Sequence, residues 1–170
     1  LGGAVLGSSG QTVVPVTKEQ EAKLIAVLKS DAPRKEKADA CRLLALVGTK
    51  DAVPVLASLL ADEELNHMAR YALEPIPEPA VDDALRTALG TLKGRPLVGV
   101  IGSLGVRRDF NAVESLAALL GNADVEVGRA AARALGSIGT PTAAEALLKA
   151  LPNTPPGSLL DVCEGLFRCA

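Results

Sequence analysis

The chain has 170 residues, of which 48% are hydrophobic and 22% charged, and its formal net charge is −2. That length suits one domain or a short repeat array; the apolar content excludes a disordered chain, and the lack of a basic excess argues against nucleic acid as a partner. The 28 Ala and 27 Leu, set against one Tyr, two Phe and no Trp, favour closely packed helices over a β-sandwich, which draws on Val, Ile, Thr and aromatics.

In chain order, Leu1 to Gly10 is rich in Gly and Ser, and the chain opens at Leu rather than Met. Residues 1–16 therefore read as a flexible or processed segment, a linker or the tail of a signal peptide, belonging to something longer. Thr17-Lys18-Glu19-Gln20 has the capping-box pattern. It starts a leading helix over 17–30, with Leu24 and Leu28 facing inward.

From there the sequence repeats itself. Ala52 to Leu60 matches Ala112 to Leu120 at an offset of 60, and the latter matches Ala143 to Leu151, and Val81 to Leu89, at 31. The stretch before each copy recurs too: Ala134-Leu135-Gly136-Ser137-Ile138-Gly139 aligns with Val100 to Gly105, Ala72 to Pro77 and Leu43 to Gly48. The units run over about 31–61, 62–90, 91–121 and 122–152, with a partial unit over 153–170. Each reads as two helices. In the last complete unit Ala131, Ala134, Leu135 and Ile138 share one face, Gly139 stops the helix, and Pro141 opens the next. That second helix is expected to bury Ala143, Ala146, Leu147, Ala150 and Leu151. A pair of about 30 residues cannot bury its own apolar face, so neighbouring pairs must stack.

The run Val127-Gly128-Arg129-Ala130-Ala131-Ala132-Arg133-Ala134-Leu135-Gly136-Ser137-Ile138-Gly139, with the helix Ala143 to Leu151, resembles the HEAT/armadillo class of α-solenoid. It is most similar to the short bacterial HEAT-like repeats of phycobilin lyases, and the likeness extends over residues 17–170. The resemblance implies an all-α, right-handed superhelix of about four and a half helix pairs that presents its second helices along one concave surface. Two units depart from the pattern. One carries Glu74-Pro75-Ile76-Pro77-Glu78-Pro79, which ends its first helix early and stiffens the turn. Another carries three extra residues in the turn Val106-Arg107-Arg108-Asp109-Phe110-Asn111, expected to expose both arginines and the phenylalanine.

Signals for catalysis are weak. His67 is the sole histidine and takes the place of Arg129 in its unit. It cannot supply the His-Glu pairs of an iron hydroxylase of this architecture, and the Trp and basic groove of HEAT-like DNA glycosylases are missing. Cys163 and Cys169 stand about 9 Å apart along a helix, beyond disulfide reach. With no CxxC, a metal site is not expected. Cys41 and Cys163 share the repeat position of Ala132, a place for a small packing residue. Gly99 to Gly105 reads as close-packing glycines rather than a phosphate loop. No stretch reaches the roughly 20 apolar residues of a membrane span. Neither cofactor nor enzymatic activity is expected.

What is left is surface. Asp62 to Asp83 holds seven acids and the base Arg70, whereas Ala84 to Arg108 holds five bases (Arg86, Lys93, Arg95, Arg107, Arg108) and no acid. With Leu147 and Leu151 inward, Glu145 and Lys149 face outward, and their counterparts are Asp83 and Thr87, Glu114 and Ala118, and Pro54 and Ser58. Asp82, Asp83, Arg86, Arg107, Arg108, Glu114, Glu145 and Lys149 form the expected partner-binding surface of a non-enzymatic interaction or scaffolding module. The alternative is a bilin-lyase-like or other enzyme-accessory protein.

Overall fold

The computed structural model describes residues 18–170, so residues 1–16 and the capping residue Thr17 lie outside the described residues. Helix α1 (Lys18–Lys29) leads into four helix pairs: α2 (Arg34–Val47) with α3 (Val53–Ser58), α4 (Asn66–Leu73) with α5 (Pro79–Leu89), α6 (Gly94–Val106) with α7 (Val113–Leu119), and α8 (Val125–Ile138) with α9 (Pro141–Ala150). Helix α10 (Pro156–Cys169) closes the array, and the described residues contain no strand. Short 3-10 turns extend α3 and α9 and precede α7.

Local chemistry sets these boundaries. The Asp124 side chain accepts from the Glu126 N–H at 3.0 Å at the start of α8. At its end Gly139 adopts φ +67° and returns its N–H to the Leu135 carbonyl. One residue later the Thr140 hydroxyl accepts from the Ala143 N–H at 3.2 Å, and Pro141 opens α9 where no N–H is needed. Pro79 does the same for α5, and the proline-rich turn before it drives Ile76 into the core.

Burial follows the repeat in two columns. Leu44, Leu73, Ile101 and Leu135 on the first helices are all sealed from water, as are Leu56, Leu85, Leu116 and Leu147 on the second helices. Each such side chain contributes about 1.5–3 kcal/mol of hydrophobic burial. Between columns, first helix stacks on first helix: α2 on α4, α4 on α6, α6 on α8 and α8 on α10. Glycines allow the closest approaches. A Cβ at Gly136 would lie 2.6 Å from the Gly165 Cα, and one at Gly105 would lie 2.9 Å from the Ala134 Cα. On the second-helix side α3 packs on α5 and α7 on α9. Ala146, Ala150 and Leu151, expected in the core, are only half-buried: the alanines line a shallow groove of about 480 Å³ between α7 and α9. The described residues thus form a helical stack of the α-solenoid type.

Candidate interaction surface

The outward positions of the second helices lie where the repeat register puts them. Pro54, Ser58, Asp83, Thr87, Glu114, Ala118, Glu145 and Lys149 are all exposed. Asp83, Glu114 and Glu145 therefore form a series, one carboxylate on each of α5, α7 and α9, spaced 31 residues apart. Adjacent second helices leave shallow grooves beside this series: the one between α7 and α9, and another of about 350 Å³ between α3 and α5 that includes Ala57, Ala84 and Thr87.

The inserted turn behaves differently from the sequence-based expectation. Arg107 is not exposed; its side chain retains 11% of its accessibility. Its Nη1 donates to the carbonyls of Glu74 and Ile76 at 2.8 Å each, and its Nη2 donates to Asp82 Oδ2 at 3.0 Å. Pro75 and Pro77 remove two N–H donors from this turn; the guanidinium fork gives the Glu74 carbonyl a donor and adds a second one at the Ile76 carbonyl, which also accepts from the Glu78 N–H at 2.9 Å. Arg86 likewise bridges Asp83 and the buried Asp109, and Asp109 also accepts from the Asn111 N–H at 3.1 Å. Asp82, Arg86 and Arg107 thus tie α5 to the turn before α7, and their charges are spent within the chain. Arg108 and Phe110 are exposed as expected, Arg108 at φ +52°.

A second ionic cluster had no sequence motif to announce it. Asp161 on α10 accepts from Arg129 Nε at 2.8 Å and from Arg133 Nη1 at 2.6 Å, joining α8 to α10. Burial raises the Asp161 pKa, but the hydrogen bonds and charges of Arg133 and Arg129 outweigh it and hold the carboxyl below its ordinary range. The signal in the sequence was Arg129 and Arg133 four apart on one helix face; the carboxylate 28 residues on becomes visible only once the helices stack. Similarly, Glu21 on α1 accepts from the Thr49 N–H at 2.7 Å, tying the leading helix to the end of α2.

The remaining chemistry-bearing residues do not converge. The three cysteines are free: Cys41 is buried, and Cys163 and Cys169 are half-buried. Burial pushes the Cys41 thiol up to about 11, against a smaller opposing effect of Arg42, so it is protonated and inert at neutral pH. His67 is exposed on α4. Among the described residues no group of three or more His, Cys, Asp or Glu side chains could hold a metal ion. No described helix is long and apolar enough to cross a membrane.

A stack of helix pairs with a repeating exposed face defines the class: an α-solenoid. The family model for HEAT repeats matches residues 97–164, from the first turn of α6 into α10. The match and the helical stack together support a HEAT-type repeat protein. The match is to HEAT repeats in general, and it carries no likeness to the phycobilin-lyase group in particular. No curated protein matches the chain. HEAT repeats serve in general as protein-interaction modules.

Proposed function

We propose that this protein is a non-enzymatic protein-binding module that takes a partner segment carrying basic side chains along the exposed face of α5, α7 and α9. The observation that supports this reading most is the series Asp83, Glu114 and Glu145, one exposed carboxylate on each of α5, α7 and α9 at a constant interval, the first of them also paired with Arg86. Such a row attracts and registers an oppositely charged chain, and it adds more to encounter rate and specificity than to raw affinity. The alanine-lined grooves beside it receive short apolar side chains of the same segment. Asp82, Arg86 and Arg107, expected in the contact surface, act instead as the internal clasp that sets the position of α5.

The test is partner capture from the native host by the wild-type chain and by a triple charge reversal, Asp83→Lys, Glu114→Lys and Glu145→Lys. All three positions are exposed, so the variant should keep its helical circular dichroism. Wild type should capture a partner that the variant loses. Equal capture by both would contradict the proposed surface.

A further inference from the structure

The basic run between Ala84 and Arg108 divides on folding. Arg86 and Arg107 are neutralised by Asp83, Asp109 and Asp82, whereas Lys93 and Arg95 form no ion pair among the described residues and are exposed. They border an open cavity of about 680 Å³ between α4 and the start of α6, together with His67 and Arg70 from α4 and the single acid Glu63.

Arg70 is the unusual member. Its repeat counterparts are Cys41, Val98, Ala132 and Cys163, all smaller and uncharged. The larger side chain fits because Gly99 faces it; a Cβ there would sit 2.5 Å from Arg70 Nε. The guanidinium makes one hydrogen bond, from Nη1 to the Gly99 carbonyl at 3.3 Å, and its buried Nε meets no acceptor. Burial lowers its pKa, with Glu74 opposing, but Glu74 forms no ion pair with it and accepts from the Ser103 hydroxyl at 2.7 Å instead. A half-buried cation without a counter-charge is costly. Further along the array the same need is met by Asp161, which neutralises Arg129 and Arg133 together. Between α4 and α6 no described side chain does this for Arg70.

We propose that this cavity binds a phosphoryl-type oxyanion, a tetrahedral phosphate group, either free or carried on an ester. Cations converge on it from two helices, a geometry that suits a dianion with several acceptor oxygens better than a single carboxylate. Gly94 and Arg95, the first residues of α6, line the same cavity and each bring a first-turn N–H, and the N-cap Lys93 makes no side-chain cap bond to them. The cavity exceeds a bare ion and leaves space for an ester-linked group. It lies on the first helices and is independent of the acidic row on α5, α7 and α9.

The experiment is a nuclear magnetic resonance titration of the whole chain with inorganic phosphate, O-phosphoserine and acetate, at a fixed ionic strength of about 0.15 M. Saturable shifts at the amides of Gly94, Arg95 and Leu97 and at the Arg70 NεH are expected with both phosphates, with acetate at least about tenfold weaker. In the variant Lys93→Gln, Arg95→Gln, phosphate affinity should fall about tenfold, while Arg108→Gln should leave it unchanged. Tighter binding of O-phosphoserine would assign the site to an ester-borne group, and tighter binding of inorganic phosphate to the free ion. The proposal is overturned by non-saturating shifts, by acetate binding as well as phosphate, by equal shifts around Arg108 and Arg168, or by an unaffected double variant.

Discussion

Arg107 donates to backbone carbonyls of the proline-rich turn and to Asp82, so removing it takes the donor from the Glu74 carbonyl and from a partly buried carboxylate together. Arg107→Ala should therefore cost about 2–4 kcal/mol, read as a shift in the urea unfolding midpoint. Its neighbour is a control at the same turn: Arg108 is exposed at φ +52°, where glycine rests without strain. Arg108→Gly should be neutral or stabilise by up to about 1 kcal/mol in the same assay. The difference between these adjacent arginines was not legible in the sequence. The insertion announced a loop, but which arginine turns inward depends on the Glu74 and Ile76 carbonyls, 33 and 31 residues upstream.

At the scale of the helix, close approach between α8 and α10 divides the glycines into two kinds. Gly136→Ala would drive a Cβ into the Gly165 backbone, and the helices must separate; a loss of about 1–3 kcal/mol is expected. Gly102, inside α6, has no atom within 4 Å of the corresponding position, so Gly102→Ala should stabilise by about 0.5–1 kcal/mol through helix propensity alone. Thermal melts of the two variants should move in opposite directions. The same α8–α10 junction carries a pH signature. Because Asp161 has a lowered pKa in the folded chain, its contribution is present above the ordinary carboxylate range, near pH 4–5, and is lost as pH falls through the lowered value. Asp161→Asn should accordingly remove part of the acid-induced loss of stability, seen as a flatter dependence of the melting temperature on pH below about 5.

For the whole molecule, what could be read in advance was whatever repeats. The eight columnar residues from Leu44 to Leu147 are predictable because a repeat of about 30 residues returns each to the same environment, and the outward positions from Pro54 to Lys149 follow from the same register. The ion pairs between repeats were not legible, since Arg107 with Asp82 and Arg129 with Asp161 occur once each and depend on how one layer sits on the next. The near absence of aromatics has its cause in the same geometry: thin layers filled by Leu and Ala offer no broad central core. Phe110 and Tyr71 are exposed where the repeat is interrupted, at the inserted turn and beside the proline-rich break. A partner lying along the second helices would be seen by hydrogen exchange of the captured complex. Added protection is expected in α5, α7 and α9, weakening in high salt as the acidic row is screened. Protection confined to the first helices α4, α6 and α8, with α5, α7 and α9 unchanged, would contradict it.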